Sequence, residues 1–120
     1  MVSSYGEGYL AMLEPLLGSQ VAEKTLMYLY CRGEGYPRQM ARDCAGTLSA
    51  MQKQLDRLEN GGILYSRNLG RVRLYRFNPR YPFLAELKAL LEKALLFYPA
   101  DERQSLLTAR ERPRRAGKPI

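Results

Sequence analysis

The chain has no histidine and no tryptophan, and only three phenylalanines and two cysteines among its 120 residues. Without histidine it lacks the commonest metal ligand and the side chain most often used as a general base near neutral pH. Cys31 and Cys44 do not make up that loss, because two thiols without an imidazole cannot complete a four-coordinate metal site. No glycine-rich phosphate loop, no nucleophile beside a base and no carboxylate cluster can be read in the sequence, so an enzyme is not expected. There is no uninterrupted run of about eighteen apolar residues, the minimum for a helical span, and no basic-then-apolar leader. The expectation is a cytoplasmic protein with no membrane span, no metal and no cofactor, whose two cysteines are free buried thiols.

What is present is positive charge, unevenly placed. The net charge is +7, yet residues 1–60 and 82–99 are close to neutral; the excess lies in 61–81, with five arginines and no acid, and in 100–120. Such clustering suits a polyanion, and nucleic acid is the obvious one. A 46% apolar content supports one modest core, and a domain of this size often buries further surface by dimerising.

The stretch 41–64 organises the rest. It divides into the end of one helix, a tight corner at Ala45 and Gly46, and a helix from Leu48 to Asn60 with Thr47 as its N-cap, closed by Gly61 or Gly62. Leu48, Met51, Leu55 and Leu58 share one stripe, and Ser49, Gln52, Lys53, Asp56 and Asn60 face the other way. After it, alternation and a glycine-containing corner at Asn68, Leu69 and Gly70 predict a β-hairpin over 62–81. Arg67 and Arg71 would flank its tip, and Arg71 and Arg73 would form a basic face while Val72 and Leu74 pack inward.

Upstream, Tyr9, Met12, Leu13 and Leu16 predict a short helix over 8–17, with Pro15 disturbing its end. Ser19 caps a helix running to about Cys31 that is apolar almost all round, through Leu26, Met27, Tyr28, Leu29 and Tyr30. That pattern fits a well-covered core helix or the wall of a tyrosine-lined ligand pocket. Residues 33–35 read as a loop, and Pro37 starts the next helix, with Met40, Ala41 and Cys44 inward. Arg38 and Arg42 lie on its outside, as DNA-backbone contacts or as solvated charges.

Downstream, 82–99 predicts one long helix whose stripe of Leu84, Leu87, Leu91, Leu95 and Tyr98 exceeds what a small domain can cover, which implies a homodimer contact about a two-fold axis. Asp101 is placed to cap one further short helix, and 100–120 reads as a basic tail, solvated or serving as a nucleic-acid arm. The organisation expected is thus a short N-terminal helix (1–17), a DNA-binding unit (18–81), a dimerisation helix (82–99) and the tail. The fold class is mainly α with a small β-hairpin (α+β).

Three segments together resemble the winged helix-turn-helix regulators of the ArsR/MarR type, in particular small prokaryotic members. They are LLGS at 16–19, the A-R-x-x-x-x-T-x-S-A-x-Q-x-x-L-x-x-L-E-x-x-G-I run from Ala41, and R-x-R-x-Y-R-x-N-P from Arg71. The resemblance covers roughly residues 18–98 and departs from the usual pattern in the turn, where Ala45 precedes Gly46 instead of a glycine coming first. It implies a sequence-specific transcriptional regulator bound to double-stranded DNA as a homodimer. Arg38, Arg42, Thr47, Ser49, Gln52, Lys53, Arg67, Arg71 and Arg73 would face the DNA, with Gln52 a bidentate reader of adenine. The cysteine pair that metal-sensing members carry is missing. The rival reading is a winged-helix interaction module that partners another protein, such as a nucleotidyltransferase; the near-neutral helix at 48–60 keeps it open.

Overall fold

The computed structural model describes residues 12–108. In order they form α1 (Glu14–Leu17), α2 (Gln20–Arg32), α3 (Pro37–Asp43), α4 (Leu48–Asn60), β1 (Leu64–Leu69), β2 (Val72–Phe77), α5 (Leu84–Leu95) and α6 (Ala100–Thr108). The mainly helical α+β class expected from the sequence is the one found, with a single antiparallel pair of strands. Of the helix expected over 8–17, residues 8–11 lie outside the described residues, as does the tail from 109. The remainder is the single turn α1, and Pro15 stands in that first turn rather than at its end, where a missing amide is harmless.

Helix α2 is the hub. Ser19 caps it, its hydroxyl accepting from the Ala22 amide at 3.0 Å. Leu26, Met27, Tyr28 and Leu29 are all buried, against Met51, Leu55 and Leu58 of α4, Leu64 and Tyr75 of the hairpin, and Leu91, Ala94 and Leu95 of α5. Each such leucine contributes roughly 1.5–3 kcal/mol by leaving water. The near-uniform apolarity of α2 is therefore explained by neighbours on several sides. Leu48 departs from the expected buried stripe of α4: as the helix's first residue it overhangs the core and stays 38% exposed.

The long helix expected over 82–99 stops at Leu95. The next three amides, of Leu96, Phe97 and Tyr98, donate to carbonyls three residues back, at 3.0 to 3.1 Å. Pro99 disfavours helical backbone at Tyr98, and α6 starts just beyond it. The first part of the expected tail is thus helical and folds back on α2, where Nε of Arg32 donates to the Leu106 carbonyl at 2.6 Å. Asp101 lies inside the first turn of α6 and accepts from the Glu102 amide, rather than standing before the helix as its cap.

This folding back corrects the expected subunit contact. Leu91, Leu95 and Tyr98 are buried in the chain's own core, at 0%, 8% and 5% exposure, and a side chain with almost no exposed surface has none to offer a partner. Leu84 and Leu87 remain half-buried.

In the hairpin, Leu69 faces Val72 and Leu64 faces Phe77, so the turn is Gly70 and Arg71, two residues later than the corner expected from Asn68. Gly70 has φ +64° and Arg71 does not share a positive φ, the Gly-X signature of a type II′ turn. A third chain segment joins the sheet. Gly35, expected only as loop, exchanges two backbone hydrogen bonds with Tyr75, at 3.1 and 2.9 Å.

Candidate nucleic-acid interface

Helices α3 and α4 meet through a turn over 44–47. Pro37 starts α3, and the Ala41 carbonyl accepts from the Gly46 amide at 2.8 Å. Ala45 takes φ +57°, the left-handed region that favours glycine. Thr47 caps α4 as expected, accepting from the Ala50 amide at 3.1 Å.

Ser49, Lys53 and Asp56 of α4 are exposed, and Arg38 and Arg42 are exposed on α3. Gln52 is not free to read a base with both amide atoms. Its Nε2 donates to Asp56 Oδ1 at 3.1 Å and to the Tyr75 hydroxyl at 3.2 Å. Asp56 therefore has a glutamine partner. Arg57 is drawn aside to the carbonyl of Leu17, at 3.1 Å, which leaves Lys53 as the outward cation of α4.

The hairpin is locked to α4 through one of its two faces. Strand alternation puts Ser66, Arg73 and Tyr75 on that face. Arg73 donates to the Ser66 hydroxyl at 2.8 Å, and that hydroxyl donates to Glu59 Oε2 at 2.8 Å. Two polar links, Arg73 to Glu59 through Ser66 and Tyr75 to Gln52, thus fix the hairpin beside the exposed side of α4. Burial raises the Tyr75 hydroxyl above its ordinary value, so it stays a neutral donor and acceptor.

The other arginines do not share one basic face. Arg67 and Arg76 lie on the opposite face from Arg73, and Arg71 stands in the turn. Arg76 reaches Glu34 at 4.0 Å, an exposed pair of little energetic weight. Val72, expected to pack inward, is 42% exposed, whereas Leu74 and Tyr75, on opposite faces, are both buried. The structure ties Gln52 to Tyr75 and, through Ser66, Glu59 to Arg73, leaves Ser49 and Lys53 exposed on the same helix, and puts Arg67 on the other face of the hairpin. Sequence reasoning missed Glu59, Ser66 and Tyr75. A turn placed at Gly70 and Arg71 would have put Ser66, Arg73 and Tyr75 on one face by simple alternation.

Behind the turn lies a cavity of about 660 Å³ between α2, α3 and α6. Its wall carries Tyr28 of α2 and Tyr98, together with Lys24, Arg32, Arg42 and Asp43. Arg32 pairs with Asp43 at 3.4 Å and stacks 4.4 Å from the centre of the Tyr28 ring. Both cysteines are free, and burial pushes each thiol up to about 11, which keeps them protonated and unreactive near neutral pH. Among the described residues no group of three or more His, Cys, Asp or Glu is placed to hold a metal, and no helix is long and apolar enough to cross a membrane. Comparison with known proteins gave no matching family model, no matching curated protein and no matching solved structure.

Proposed function

We propose that this chain is a winged helix-turn-helix protein that binds double-stranded DNA as a homodimer and regulates transcription. The observation that carries this reading is the pair of polar links between α4 and the hairpin, Arg73–Ser66–Glu59 and Tyr75–Gln52. They hold an exposed helix face beside an arginine-bearing hairpin, and the hairpin segment (60–85) has not a single acidic residue. In this reading the N-terminal turns of α4 enter the major groove, where Ser49 and Lys53 reach base edges, while Arg73 and Arg71 meet phosphates. Gln52 serves there as a brace for Tyr75 unless DNA draws its amide away. No catalytic step belongs to the reading.

The second subunit docks on apolar surface the single chain leaves open, at Phe83, Leu96 and Phe97, each more than half exposed, and not on the buried stripe of α5. A protein-interaction module is the second reading. It is favoured by the near-neutral outward face of α4, where Asp56 sits one turn from Lys53.

Fluorescence anisotropy with a mixed-sequence duplex at about 50 and 200 mM salt separates the two. DNA binding predicts affinity that falls steeply with salt. Arg71→Ala and Arg73→Ala should weaken binding to every sequence, and each phosphate that is no longer neutralised should lower the slope of log K against log salt by about one. No binding at the lower salt favours the protein-partner reading.

A further inference from the structure

The outer end of the hairpin carries apolar side chains that nothing in the fold covers. Leu69 and Val72 are direct cross-strand partners on the last rung before the turn, and they are 41% and 42% exposed. Alternation places them on the face that holds Arg67 and Leu74, opposite to the face that carries Arg73 toward α4. Leu74 is 3% exposed, so the core ends two residues short of this pair. A projecting strand end normally carries charge, because bare apolar ends invite association.

Its surroundings say what it meets. Arg71 is next to Val72 in sequence and Arg67 stands two residues before Leu69, and among the described residues neither is held by an acidic partner. An apolar pair set among unneutralised arginines matches a site with anionic rims and apolar faces between them. The minor groove of duplex DNA offers that where a base step opens, with phosphates along both rims and apolar base faces behind the polar base edges.

Resting on the DNA-binding reading above, we propose that Leu69 and Val72 form a wedge that enters the minor groove, partly unstacks one base step and bends the duplex toward its major groove. Arg67 and Arg71 hold the flanking phosphates and draw the tip to the floor of the groove. The two-residue turn keeps the entering end narrow, and the braces from Arg73 and Tyr75 transmit the position of α4 to the tip. Flexible pyrimidine–purine steps are the preferred sites, because they unstack at the lowest cost. The hairpin thereby reads deformability where α4 reads base edges.

The test uses a duplex of about three helical turns, labelled at its ends with donor and acceptor dyes and carrying a central TA step. The parent chain should shorten the end-to-end distance on binding. The double variant Leu69→Ser with Val72→Ser should keep the salt slope, bind about tenfold more weakly and leave the ends at the free-duplex distance. Arg71→Ala should lower the slope by about one and, once the duplex is saturated with protein, still bend it through the intact wedge. Both apolar positions lie outside the core, so an unchanged melting curve checks that the double variant folds. Binding of the parent without bending, or equal bending by the double variant, overturns the wedge and leaves DNA binding standing. Failure of the parent to bind any duplex at low salt overturns both.

Discussion

The hydroxyl of Tyr98 donates to Glu23 Oε2 at 3.0 Å across 75 positions of chain, while Glu23 Oε1 accepts from the Leu13 amide at 2.9 Å. One carboxyl group with no exposed surface therefore ties together the residue that leads into α1, the hub helix and the turn between α5 and α6. A buried acid of this kind is held in place by its two donors and disfavoured by its own ionisation.

Burial raises the Glu23 carboxyl above its ordinary value of 4.5, and its two hydrogen bonds offset only part of that. Below the unfolded-state value the group is neutral in both states. As pH rises past it, the unfolded chain ionises first, so stability falls until the folded carboxyl ionises too. Glu23→Gln removes this titration and can still bond both neighbours. Urea melts at several pH values should find the variant gaining on the parent as pH rises above the ordinary value of 4.5; a constant difference would refute burial as the cause. Glu23→Ala should instead destabilise at every pH, by about 1–3 kcal/mol for the Leu13 amide that loses its acceptor.

Ala45 holds a left-handed backbone that costs an L-residue about 1–2 kcal/mol, and glycine would adopt it without that strain. Glycine's greater freedom in the unfolded chain takes back part of the gain. Ala45→Gly should therefore stabilise the protein by about 0.5–1 kcal/mol, read as a rise in melting temperature. A fall would mean that the turn is not held in this conformation in solution.

At Gly35 the opposite holds. A Cβ there would stand 2.8 Å from Met40 Cγ and Sδ and 2.9 Å from Tyr28 Cε1, closer than packed atoms approach, so both side chains would have to shift. Met40 and Tyr28 are both buried, and the Tyr28 hydroxyl is bound to Asp43 at 3.1 Å. Gly35→Ala should cost about 1–3 kcal/mol of stability. Because Gly35 also bridges Tyr75, faster hydrogen exchange should appear at the Gly35 and Tyr75 amides, and unchanged protection there would count against the bridge.

The local elements are legible in the chain because local chemistry decides them. Ser19 and Thr47 cap the helices whose starts they mark in the sequence, and Pro37 starts the helix that it was expected to start. What depends on neighbours distant in sequence is not legible. The stripe of Leu91, Leu95 and Tyr98 looks the same whether a partner or the chain's own α2 covers it. The hairpin differs from expectation for a smaller reason. A corner placed over 68–70 rather than at Gly70 and Arg71 hides the face that joins Ser66 and Arg73 to α4, because register alone decides which residues share a side.

That distinction between covered and open apolar surface can be tested directly. Leu91 has no exposed area, so Leu91→Ala should lower stability by about 2–5 kcal/mol at any protein concentration. Phe83, Leu96 and Phe97 are 61%, 66% and 55% exposed, so serine there removes little from the core. Under the homodimer proposal the parent should melt at higher temperature as its concentration rises, because association draws on the folded state alone. Phe83→Ser, and Leu96→Ser combined with Phe97→Ser, should abolish that dependence and halve the mass measured by light scattering, while melting in dilute solution stays near the parent's. If these variants keep the parent's mass, the open apolar residues do not form the contact. If Leu91→Ala alone halves the mass without loss of stability, the stripe is shared between subunits and not enclosed by one chain.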